Sequence, residues 1–112
     1  MTTTLPSTDR QPELQEALEA LMLTKHAQAN VYFQPPVNLV MNYPAIVYHL
    51  DYSDNDYADN RPYRRHWRYL VTLISRDPND PVREALADLP MCRFSRFYTA
   101  NNLNHTAFNL YF

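Results

Sequence analysis

Residues 63–78 form the longest β-competent run of hydrophobic and polar positions in the chain. Trp67, Tyr69, Val71 and Leu73 fall on one face at period two, and Arg68, Leu70, Thr72 and Ile74 fall on the other. The first half is half-polar and the second half is apolar on both faces. This predicts a strand that starts exposed and runs into the middle of a sheet. Helical spacing governs the start of the chain instead. Leu14, Ala17, Leu18, Leu21 and Met22 make one apolar stripe. Thr8 or Asp9 is the expected cap, Pro12 lies in the first turn, and Lys25 and His26 close the C-terminal end with favourable sign. Such a helix is expected to pack on the domain's own sheet.

The same reading places a short strand at Val31-Tyr32-Phe33, stopped by Pro35-Pro36. A second strand follows Pro44 and runs over residues 45–52. Residues 53–62 are strongly polar and are expected to form an extended hairpin loop. Asn79 or Asp80 caps a second helix with Pro81 at its first position. Val82, Ala85, Leu86 and Leu89 form its apolar face, and Pro90 stops it. Strands at residues 91–99 and 105–112 follow, joined by a turn at Asn101-Asn102-Leu103-Asn104. The order is helix, three strands, helix, two strands. Hairpin-length connections predict an α+β two-layer sandwich, with a mostly antiparallel sheet and two helices on one face. The other face is either covered by another subunit or left as a small exposed patch. Residues 1–7 are expected to be a flexible arm, and residues 8–112 a single domain.

Composition narrows the chemistry. The 112 residues include no glycine. That removes phosphate-cradling loops, dinucleotide fingerprints and nucleophile elbows, which need close backbone approach or positive φ. Positive φ is then expected at Asn or Asp. The single cysteine, Cys92, has no internal partner, which fits a reducing compartment. No apolar run is long enough for a signal peptide or a membrane span. His26, His49, His66 and His105 are scattered without metal-ligand spacing, and no carboxylate pair or activated nucleophile is evident. No catalytic residue, cofactor or metal is expected. Nine tyrosines and five phenylalanines suit either half-buried interface surfaces or ordinary strands.

Charge is segregated around residues 54–68. Asp54, Asp56 and Asp59 precede Arg61, Arg64, Arg65 and Arg68. Asp54 and Asp56 resemble the start of a calcium loop, but the glycine is missing and Arg65 stands where the closing Glu belongs. The two charge groups either pair across the hairpin or offer a surface to an acidic partner. Tyr63 and Trp67 among the arginines have the texture of single-strand nucleic-acid binders. The net charge of −2 argues against binding through a broad basic field.

Several stretches resemble small tail-terminator, or tail-completion, proteins of long-tailed bacteriophages. They are Tyr43-Pro44-Ala45-Ile46-Val47-Tyr48, the Arg- and aromatic-rich strand ending in Ser75-Arg76-Asp77-Pro78, Leu89-Pro90-Met91-Cys92-Arg93-Phe94, Phe97-Tyr98-Thr99-Ala100-Asn101-Asn102-Leu103-Asn104-His105, and the closing Asn109-Leu110-Tyr111-Phe112. The resemblance covers residues 43–112 and rests on strand and turn patterns. It implies a non-enzymatic virion structural protein, assembled in the host cytoplasm and placed at the head-proximal end of the tail. Such proteins form a ring, typically a hexamer, that stops tail-tube polymerisation and joins the tube to the head connector. The implied partners are other copies of the chain, the tail tube protein and the head completion protein, with DNA passing non-specifically and no membrane involved. Another head–tail neck component, or a soluble module touching nucleic acid through Arg61 to Arg68, is the alternative. On this reading Arg61, Arg64 and Arg65 face the lumen or a neighbour, together with Tyr63, Arg68 and the aspartates. Asp54, Asp56 and Asp59 depart from a purely basic lumen.

Overall fold

The computed structural model describes residues 10–58 and 61–112, and over 52–58 and 61–66 the backbone alone. The elements follow the expected order: α1 (Gln11–Leu23), β1 (Val31–Phe33), β2 (Ala45–Ala58), β3 (Arg61–Ser75), α2 (Val82–Ala87), β4 (Cys92–Ala100) and β5 (Leu103–Tyr111). They build an α+β fold with one five-stranded sheet in the order β1-β2-β3-β5-β4. Only β1 runs parallel to its neighbour, pairing Val31 to Phe33 with Ile46 to Tyr48.

The period-two reading of β3 identifies the core face. Tyr69, Val71 and Leu73 are buried, and Trp67 packs partly against them. Their register partners Phe108 and Leu110 on β5, and Ile46 and Tyr48 on β2, share that face. Leu14, Leu18 and Met22 cover it from α1, one residue per turn, and Val82 and Leu86 cover it from α2. Ala17, expected on the stripe, is exposed. The Tyr48 hydroxyl fixes α1 to the sheet. It donates to Gln15 Oε1 at 2.6 Å and accepts from Gln11 Nε2 at 2.8 Å. Gln15 also donates to the Val31 carbonyl at 3.1 Å.

On the opposite face, Val47, Thr72, Ile74 and Ala107 are buried as well. The 34–44 connection lies near them, where the Asn42 amide donates to the Tyr32 hydroxyl at 3.3 Å. This face is therefore partly sheltered by the chain itself rather than wholly open.

Several local expectations change. α1 begins at Gln11 with Arg10 in the capping position, and Thr8 and Asp9 lie outside the described residues, as does the proposed arm. Lys25 and His26 lie just past the C-cap Thr24 rather than in the last turn of α1, and both their amides donate to the Met22 carbonyl. Asn101 and Asn102 both take positive φ, 53° and 62°, and join Ala100 to Leu103 in a two-residue turn whose twist suits a hairpin. Gln34 and Met91 also take positive φ, although neither is Asn or Asp. Gln34 is held by its own bonds: its amide donates to the Tyr48 carbonyl and its side chain accepts the Leu50 amide.

The largest change concerns residues 53–62. They were expected to be a loop, but the strands continue to Ala58 and resume at Arg61. β5 pairs with β3 only from Arg68 to Ser75. Beyond Arg68, β2 and β3 form a two-stranded ribbon outside the sheet. Seven residues per strand at about 3.3 Å each carry it roughly 20 Å outward. The molecule is elongated accordingly, at 50 × 29 × 28 Å.

Leu73 lies deep in the core, so Leu73→Ala should remove about 3 kcal/mol of stability. Chemical denaturation measures this. A loss below about 1 kcal/mol would contradict the placement of Leu73 in the core.

Candidate assembly surface

The ribbon holds most of the charged residues singled out from the sequence. Its register sets Asp56 opposite Arg64, Asn55 opposite Arg65, Asp54 opposite His66 and Ala58 opposite Arg61. One of these backbone pairs, Asp56 with Arg64, sets residues of opposite charge at facing positions, which paired strands favour. Tyr63 falls at a register shift, between Arg64, paired with Asp56, and Pro62, paired with Tyr57. Pro62 cannot donate to a ladder, so an irregularity here is expected. Asp59 lies outside the described residues.

Arg68 is the member of the basic cluster whose side chain is described. It stands where the ribbon leaves the sheet. Register skips from Leu50–Tyr69 to Tyr52–Arg68, leaving Asp51 as the extra residue of a bulge. Asp51 Oδ2 accepts from Arg68 Nε at 2.9 Å and lies 2.8 Å from Nη2. Arg68 therefore pins the base of the ribbon and is not a free cation. Sequence reasoning missed this role because Asp51 was counted with the strand and Arg68 with the basic cluster.

A second surface lies at the far edge of the sheet. β4 pairs with β5 on one side, and among the described residues no strand pairs with its other side. Every residue after Cys92 on β4 is exposed. Phe94 and Phe97 share the core face through their partners Phe108 and Thr106, yet are 60% and 45% exposed. Beside them, Met91 is 68% exposed. With Arg83, Glu84, Ala87 and Phe108 the two phenylalanines line a shallow apolar depression. On the other face, Tyr98 stacks on His105 with ring centroids 4.7 Å apart, and the Arg96 guanidinium lies 4.9 Å above the Tyr98 ring.

A third cluster went unseen in the sequence. Buried Asp80 accepts from Ser75 Oγ at 2.9 Å and from the Val82 amide at 2.9 Å, and lies 3.0 Å from His26 Nε2. Burial alone would push its carboxyl up. The hydrogen bonds from Val82, His26 and Ser75 outweigh burial and hold it below the usual carboxylate range. In a serine-nucleophile triad the imidazole stands between hydroxyl and carboxylate. Here the carboxylate stands in the middle, so this contact does not couple Ser75 to an imidazole base. The cluster instead ties the end of β3 and the start of α2 to the chain leaving α1. An acidic acceptor ahead of α2 was legible, although Pro81 rather than Asn79 or Asp80 takes the N-cap position; His26, 54 positions away, carried no sequence signal.

Burial pushes the Cys92 thiol up to about 11, which keeps it protonated at neutral pH. Among the described residues, no group of three or more His, Cys, Asp or Glu is placed to hold a metal ion. No helix among them is long and apolar enough to cross a membrane. Scans against protein-family models, curated proteins and solved structures returned no match.

Asp80→Asn should cost about 1–3 kcal/mol at neutral pH. The Asp80 carboxyl is lowered in the fold. Its contribution is therefore present above the ordinary carboxyl range and lost as pH falls through the folded-state value. Denaturation from neutral to acid pH should show the gap between parent and variant closing with acid. Equal stability at neutral pH would contradict the assignment.

Proposed function

We propose that this chain is a ring-forming structural protein of the tail-terminator type, which caps a phage tail tube, stops its growth and meets the head connector. The observation that carries the reading is one protomer with a projecting charged ribbon and, at the far edge of the same sheet, an aromatic strand without a partner. A closed ring needs two different surfaces on each subunit, one to give and one to receive. The helix–strands–helix–strands order and the motif resemblance over residues 43–112 support the same class.

A ribbon of two strands is barely stable by itself in water. One that runs beyond the sheet over residues 52–58 and 61–67, anchored at its base by Asp51 and Arg68, fits an element that gains its order from a neighbour, a tube or a connector. On this reading Arg61, Arg64 and Arg65 meet the lumen or the axial partners, and function needs no cofactor and no catalysis.

Nucleic-acid binding through the arginines receives less support. Residues 51–68 hold four aspartates (51, 54, 56, 59) and four arginines (61, 64, 65, 68), so the ribbon has no net formal charge from these groups. A non-specific binder relies on a basic surplus.

Light scattering after size exclusion, and negative-stain images with polymerised tail tubes, test the proposal. Rings of one size, free or on tube ends, are expected. Arg64→Ala combined with Arg65→Ala should leave the thermal midpoint within about 2 °C and abolish tube capping. A monomer at every concentration that also ignores tubes would contradict the proposal.

A further inference from the structure

Among the described residues, two of the sheet's unpaired edges carry opposite charge. β4 (Cys92–Ala100) is an outer strand with Arg93 and Arg96 and no acidic residue. β2 has a free outer edge only where β1 no longer covers it. β1 pairs as far as Tyr48, and the Gln34 side chain then takes the Leu50 amide at 3.2 Å. From Asp51 to Ala58, β3 is the only described strand beside β2. That stretch holds Asp54 and Asp56, besides Asp51 tied to Arg68, and no basic residue. The two edges also match in length, nine residues on β4 against positions 51–58 on β2.

Resting on the ring reading, we propose that β4 of one copy adds to the outer edge of the β2 ribbon of the next copy, so that the sheet runs on from subunit to subunit. Backbone hydrogen bonds supply the contact, and Arg93 and Arg96 against the aspartates of β2 set the partner. Sheet continuation keeps faces aligned. The exposed Phe94 and Phe97 then extend the same face that carries Leu50, which is 42% exposed, and Phe33 at the end of β1. Both sets of apolar side chains stay partly exposed in the single chain, Phe94 and Phe97 at the rim of α2 and Leu50 and Phe33 at the base of the ribbon. The rival arrangement, β4 against β4 of a second copy, is disfavoured by charge. An antiparallel pair centred on the middle of the strand sets Arg96 opposite Arg96, and like charges directly opposite repel.

The contact is head-to-tail, so charge exchange tests it. The double variant Arg93→Glu with Arg96→Glu should weaken self-association about tenfold or more at low salt, with an unchanged far-ultraviolet circular dichroism spectrum. Asp54→Arg with Asp56→Arg should do the same. Mixing the two variants should restore association between unlike protomers, read by light scattering, and added salt should weaken the parent assembly. If the Asp54/Asp56 variant fails to fold, the Arg93/Arg96 variant alone decides. Assembly of that variant at parental affinity overturns the β4–β2 contact while leaving the ring reading standing. A parent that never assembles, with or without tail tubes, overturns both.

Discussion

β3 is 15 residues long and β5 is nine, and the character of the molecule depends on that mismatch. Where β3 has partners on both sides, from Arg68 to Ser75, its side chains close a core against α1 and α2. Where it has only β2, it leaves the domain as a ribbon. The boundary is marked chemically. Asp51 bulges out of register and holds Arg68, and Tyr111, the last residue of β5, pairs with Arg68 at the same level. A bulge adds local twist and redirects the strands it interrupts, which suits a point where a ribbon departs from its sheet.

The two parts are held by different forces. The body depends on apolar burial, with Tyr48 satisfied by Gln11 and Gln15 so that its hydroxyl carries no penalty inside the core. Asp80 performs a similar service at the far end, where three donors meet one buried carboxylate. The ribbon has no second layer in the described structure, and its sequence is charged rather than apolar. β4 is the intermediate case, a long outer strand with apolar residues on one face and arginines along it. Charges on an outer strand, together with the register shift between Phe94 and Arg96, discourage indiscriminate pairing while leaving selective pairing open.

The sequence foretold the body well because burial writes a period into it. Leu14, Leu18 and Met22 repeat every turn, and Tyr69, Val71 and Leu73 every second residue. Asn101-Asn102 announced a tight turn in a chain without glycine. The ribbon was misread as a loop because neither of its faces is consistently apolar, so residues 53–62 lack the alternation that marks a strand. Only pairing with the opposite strand reveals it. The His26–Asp80 contact and the β3-β5-β4 order depend on distant parts of the chain, and no local pattern encodes them. Of the candidate residues, Arg68 serves the ribbon's base through Asp51, a pairing across 17 positions that no local pattern marks.

The central claim is that β4 and the ribbon are unfinished surfaces completed by other copies. Amide hydrogen exchange, compared between dilute monomer and assembled protein, tests it most directly. Peptides covering 92–100 and 51–58 should exchange quickly in the monomer and become protected together on assembly, while α1 changes little. Assembly that leaves both stretches exchanging at their monomer rates would contradict the account.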